Sequence, residues 1–96
     1  MVYRLEFDKD ALAEWEALDN SVKFQLRKKL LKRLENPHVP SEMLHGDLSG
    51  CYKIKNNKTG HRLVYGVQDH VLVVYVLAVN RRDKLEVYRL ASERLK

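Results

Sequence analysis

Val71-Leu72-Val73-Val74-Tyr75-Val76-Leu77-Ala78-Val79 is the longest apolar run in a chain of 96 residues. It is far shorter than the roughly 20 apolar residues that cross a bilayer, and its β-branched content favours a buried strand at the centre of a sheet. Working back from it, Asp69-His70 reads as a tight turn and His61 to Gln68 as a strand. Asn57-Lys58-Thr59-Gly60 then supplies a glycine-containing turn, and Cys51 to about Asn56 a further strand. Three strands joined by short turns form an antiparallel meander. Forward from the run, Asn80 or Asp83 begins a last helix with Leu85, Tyr88, Ala91 and Leu95 on one side. Asp83 with Glu86 three residues later resembles a capping box.

The first half supplies the remaining layer. Val2 to Phe7 alternates as a short strand with Tyr3, Leu5 and Phe7 on one face, and Asp8 or Asp10 caps a helix carrying Leu12, Trp15 and Leu18. Asp19-Asn20-Ser21 breaks that helix, and Asn20 or Ser21 caps the next. Val22, Leu26, Leu30 and Leu34 recur at every fourth position until Asn36-Pro37 ends it. Residues 37–50 hold both prolines and form the one long connection. The expected plan is α+β, β-α-α-β-β-β-α: a small, antiparallel-rich sheet with an N-terminal α-hairpin and a C-terminal helix, the helices packed on one face.

Domains mostly run from about 50 to 250 residues, so residues 1–96 are expected to form a single domain. Hydrophobic residues make up 45% and charged residues 32%, a balance that disordered chains lack. The single cysteine, Cys51, forbids an internal disulfide and fits a reducing compartment. Patterned sequence begins at Val2, so no signal peptide is expected and the cytoplasm is the expected location. The net charge of +5 is unevenly spread. Residues 1–50 carry eight Lys/Arg and nine Asp/Glu, whereas residues 51–96 carry ten and four. The basic residues of the first half gather in the second helix as Lys23, Arg27, Lys28, Lys29, Lys32 and Arg33. Two basic blocks suggest a polyanionic partner, RNA or DNA first; a solvated basic surface is the plainer reading.

Alternation along the meander sharpens that suggestion. Tyr52, Ile54, Leu63, Tyr65 and Val67 share one face, which sends Lys53, Lys55 and Arg62 to the other. Arg82, just past the central strand, can lean over the same face. Four cations without an interleaved carboxylate crowd one another unless a polyanion fills the gap, so the group reads as a phosphate site. The same spacing fits an exposed sheet face carrying lysines for solubility. Other chemistries find less support. The four histidines lack metal-ligand spacing, no glycine-rich phosphate loop exists, and Asp8 and Asp10 are explained by helix capping. Cys51 and Trp15 read as packing residues. No cofactor or metal is expected.

Over essentially its whole length the chain resembles the RelE toxins of bacterial RelBE-type toxin–antitoxin modules. The likeness rests on Phe7-Asp8, Ala11-Leu12, Glu14-Trp15, Gln25-Leu26 and Lys28-Lys29-Leu30. Most specific are Cys51-Tyr52-Lys53-Ile54-Lys55, Gly60 with Arg62-Leu63-Val64-Tyr65, and Arg82 with Glu86-Val87-Tyr88. The resemblance implies a metal-independent, ribosome-dependent endoribonuclease that cuts mRNA in the A site, by attack of a ribose 2′-OH on the adjacent phosphate. It also implies the residues: Lys53, Lys55, Arg62, Arg82 and Tyr88. By analogy Lys55 is the base, with Tyr88 assisting it or stacking on the substrate. Lys53 and Arg62 clamp the phosphate, and Arg82 stabilises the leaving oxygen or acts as the acid, charge stabilisation fitting an arginine better. Tyr88 also falls on the apolar stripe of its helix and can equally be a core residue. Lys84 and His45 stand where the resemblance leads one to expect arginines. The six basic residues of the second helix, by the same likeness, contact 16S rRNA phosphates. The implied partners are a RelB-type antitoxin, the ribosome with its A-site mRNA, and operator DNA only through the antitoxin, with no membrane. A non-catalytic nucleic-acid-binding corepressor is the competing reading.

Overall fold

The computed structural model describes residues 2–81 and 84–95. The order is β1 (Arg4–Phe7), α1 (Lys9–Glu16), α2 (Asn20–Glu35), two single-turn 3-10 segments (Pro40–Glu42 and Gly46–Leu48), β2 (Cys51–Lys55), β3 (Arg62–Gln68), β4 (Val73–Asn80) and α3 (Lys84–Leu95). The strands form one sheet in the order β1-β4-β3-β2. β2–β3–β4 is the expected antiparallel meander, while β1 adds parallel to β4. The apolar run is thus central, although its first two residues belong to the turn. Leu72 closes that turn at φ 55, left-handed backbone unusual for leucine, and its carbonyl accepts from the Arg4 amide at 2.8 Å.

α1 begins where its capping residue requires. The Asp8 carboxylate accepts from the Asp10 and Ala11 amides, satisfying N–H groups that the helix cannot. The α2 cap lies one residue before Asn20 and two before Ser21, the expected caps. Asp19 occupies the cap position, and its carboxylate is taken by the Ser21 hydroxyl at 2.6 Å. The α2 stripe of Val22, Leu26, Leu30 and Leu34 is buried as the spacing requires. In α1 the buried residue is Ala11, whereas Leu12 is exposed.

The helices do not share one face of the sheet. α1 and α2 pack with Tyr52, Ile54, Leu63, Tyr65, Val74 and Val76, while α3 sends Val87 and Ala91 to the opposite face, against Cys51, Val64, Leu77 and Ala78. The central strands are apolar on both sides and need covering on both. The buried stripe of α3 is accordingly Val87 and Ala91, with Leu85 exposed. A bulge in β4 makes this two-sided packing possible. Val64 pairs with Ala78 and Tyr65 with Val76, so Leu77 is the extra residue and both Leu77 and Ala78 serve the α3 side. The shift returns Val79 to the α1–α2 side and sets Asn80 opposite Arg62.

α3 is anchored at its far end by Arg94. Its guanidinium donates to both oxygens of Glu14 on α1, at 2.9 and 3.0 Å, and to the Leu77 carbonyl at 3.0 Å. Among the described residues no helix is long and apolar enough to cross a membrane.

Candidate nucleic-acid interface and active site

β2 and β3 place the candidate phosphate-binding residues by register alone. Lys55 pairs with Arg62, which pairs in turn with Asn80, giving a row across three strands; Lys53 lies two residues along and pairs with Val64. Directly opposed side chains stand about 5 Å apart at Cβ, so Lys55 and Arg62 share one small area of surface. Lys55 is exposed, and Lys53 and Arg62 are half-buried. They occupy the sheet face that α3 covers elsewhere, at the end where Cys51, Val64 and Ala78 give way to charged residues. Among the described residues no carboxylate forms an ion pair with any of the three. Lys53 and Lys55 open into a cleft of about 430 Å³ that also receives Lys29, Lys32 and Arg33. Glu42, half-buried, lines the same cleft. It comes from the irregular connection, so alternation within strands gave no means of finding it.

Tyr88 stands on the same side of the sheet, half-buried on α3 against the core of Leu48 and Val87. It lines a groove of about 540 Å³ with Leu44, His45, Asp47 and Arg89. Both readings of Tyr88 thus keep a footing: its ring packs, and one side of it opens to a groove. Arg82, and with it the Asp83 cap, lies outside the described residues.

The basic residues of α2 divide by what they touch. Lys28, Lys29 and Lys32 line a depression of about 420 Å³ beside Asn56 and Lys58; the sequence marks Lys58 only as part of a turn. Lys23 and Arg27 flank a different groove, toward β1. Arg33 turns inward. Its guanidinium donates to the Tyr65 hydroxyl at 2.9 Å and to the Lys53 carbonyl at 3.1 Å, and it lies 5.7 Å from the Tyr65 ring centre. The sequence carried a signal for this: position 33 is seven after 26 and three after 30, within the buried stripe. Lys29 Nζ donates to the Lys55 carbonyl at 2.7 Å, and the Leu44 amide to the Cys51 carbonyl at 2.9 Å. The carbonyls of Cys51, Lys53 and Lys55 are therefore all engaged from outside the sheet, which fixes the strand bearing the two lysines.

Behind the site the side chains are tightly partnered. Tyr65 donates to the Pro37 carbonyl at 2.9 Å, and burial raises its hydroxyl pKa although Arg33 opposes the shift. Burial also raises the Cys51 thiol. His61 is lowered by burial and then by the charge of Arg81. At the opposite end of β3, Asp69 accepts from the Tyr3 hydroxyl at 2.6 Å and from His38 Nε2 at 2.8 Å, and these bonds hold its carboxyl below the usual range. With Nε2 turned to the carboxylate, His38 Nδ1 lies 2.9 Å from the Tyr52 hydroxyl, in hydrogen-bond contact. Among the described residues no three His, Cys, Asp or Glu side chains group as metal ligands.

Known proteins share this fold from end to end. The family model described as the ParE toxin of type II toxin–antitoxin systems matches residues 5–86. A RelE-like toxin protein of Escherichia coli is 48% identical over 96 residues, covering all of both chains. The mRNA interferase toxin RelE of E. coli K12 is 45% identical over 95 residues, covering 99% of each. Among solved structures, an arginine-substituted E. coli RelE in its free state superposes with a TM-score of 0.90 at 44% identity, covering all of both chains. RelE in the intact E. coli RelBE toxin–antitoxin complex gives 0.81 at 44% identity, covering 85% of this chain and 99% of that one. The three helices and four-stranded mixed sheet are those of a known toxin architecture, and the chain belongs to the RelE toxins of RelBE-type toxin–antitoxin systems.

Proposed function

We propose that this protein, a single domain acting in the cytoplasm, is a ribosome-dependent endoribonuclease that cleaves mRNA in the A site and is silenced by a RelB-type antitoxin. The observation that carries the reading is the Lys55–Arg62 pair in register, with Lys53 beside it and, among the described residues, no carboxylate in an ion pair with any of the three. A dianionic phosphorane needs concentrated positive charge aimed at one point, and cross-strand cations supply it without a metal. In this reading Lys55 takes the proton from the 2′-hydroxyl, and that oxygen attacks the adjacent phosphorus. Lys53 and Arg62 hold the non-bridging oxygens. Arg82 stabilises the departing 5′-oxygen, which takes a proton from water to become a 5′-hydroxyl as a 2′,3′-cyclic phosphate is left on the other fragment. Tyr88 orders the substrate base or assists Lys55. The names of the relatives support the interferase activity, and the RelBE complex supports an antitoxin partner. Lys23, Arg27, Lys28, Lys29 and Lys32 dock the toxin on 16S rRNA, with Arg33 chiefly holding Tyr65 and β2; operator DNA is reached only through the antitoxin.

The test is primer extension on a defined mRNA, with and without programmed ribosomes whose A site is empty. Cuts confined to the A-site codon and dependent on ribosomes are expected. Cutting of naked RNA would remove the ribosome from the mechanism, and no cutting by folded protein would favour the corepressor reading.

A further inference from the structure

On α2 the residues at 22, 26, 30 and 34 face the sheet, so Phe24 and Leu31 point away from it. Phe24 keeps 63% of its surface exposed. It is no isolated apolar side chain, because its ring walls an open groove of about 390 Å³ formed with Leu5, Phe7 and Trp15. The polar lining of that groove is Asn20, Lys23 and Arg27, with no carboxylate among the described residues. On the other flank, Lys28 Nζ lies 5.6 Å from the Phe24 ring centre and opens onto the depression shared with Lys29, Lys32 and Lys58. Docking by phosphate contacts alone gives no use to an exposed phenylalanine in the middle of the cations. Single-stranded nucleic acid does: cations take the phosphates while the aromatic face takes a base.

We propose that Phe24 is a stacking platform for an unpaired RNA base, and that Lys23, Arg27 and Lys28 hold the phosphates on either side of that base. The proposal rests on α2 being an RNA-docking helix and adds a base-dependent contact to it. The probe is a labelled 2′-O-methyl hexa-adenylate, whose blocked 2′-oxygen cannot attack its phosphate, compared by anisotropy with an abasic oligomer of equal charge. Wild-type protein is expected to bind the adenylate roughly tenfold more tightly than the abasic strand. Phe24→Ala should bind both at the abasic level, and Phe24→Tyr should keep the preference. Trp15, the only tryptophan, lines the same groove and should be quenched by the adenylate alone. Thermal unfolding of Phe24→Ala should match wild type, since the side chain is exposed. The stacking platform is overturned if Phe24→Ala retains the preference, or if wild type has none while Lys28→Ala with Lys32→Ala weakens both strands; in either case charge-driven docking survives. Failure of both strands to bind wild type overturns the docking reading and this proposal together.

Discussion

At the residue scale, the positions that carry charge into the cleft separate from those that hold it open. Lys55 is exposed, so Lys55→Ala should leave thermal stability unchanged while lowering ribosome-dependent cleavage by about 100-fold or more, a general base being worth roughly 10²–10⁴. Single-turnover cleavage beside a melting curve reads both. Arg33→Met should do the reverse. It removes the donor to the Tyr65 hydroxyl, which keeps only its own bond to the Pro37 carbonyl, and frees the Lys53 carbonyl, so a loss of about 2 kcal/mol in unfolding free energy is expected in urea titration. Lys53, Lys55 and Arg62 were legible because strand alternation sorts side chains by parity. Glu42 and Lys58 were not, because loops have no period; the inward turn of Arg33 was signalled by its place on the buried stripe but masked by its charge, since a charged residue on a mostly polar helix reads as solvated.

The elements show where periodicity stops being informative. A nine-residue apolar run announces a central strand, but alternation cannot reveal that Leu77 is a bulge and that Ala78 shares its side of the sheet. The same run, being apolar on both faces, called for cover on both, yet the helix stripes were legible only as amphipathic and not as belonging to opposite sides. Counting Leu85 and Leu95 in the α3 stripe followed from leucine being apolar; the stripe is completed instead by Arg94, whose charge is neutralised against Glu14. Arg94→Ala should therefore loosen α3 from α1, costing about 2 kcal/mol. Amide hydrogen exchange is the direct check, with α3 expected to lose protection before β3 and β4.

Across the whole molecule, the connection after α2 is tied to the β3–β4 turn and to the chain's start through His38, Asp69 and Tyr3. The Asp69 carboxyl is lowered first by the Tyr3 hydroxyl and then by His38, so its contribution to stability is fully present above the ordinary carboxylate range. That contribution is lost as pH falls through the depressed folded value. Asp69→Asn should flatten the acidic limb of a plot of melting temperature against pH below about 4. His61 adds a second slope of the same sign. Its folded pKa is lowered from 6.5, so its neutral form favours the folded state above that value and its protonation weakens folding as pH falls.

The outer side of β2 has a consequence for how these molecules meet one another. Where a free strand would offer three carbonyls to a neighbour, those of Cys51, Lys53 and Lys55 are already taken by Leu44, Arg33 and Lys29. An incoming strand would find no acceptors there and two positive charges in its path, so the sheet cannot be extended on that flank. Molecules at high concentration are thereby kept from zipping together across the very strand whose lysines must remain open to the solvent.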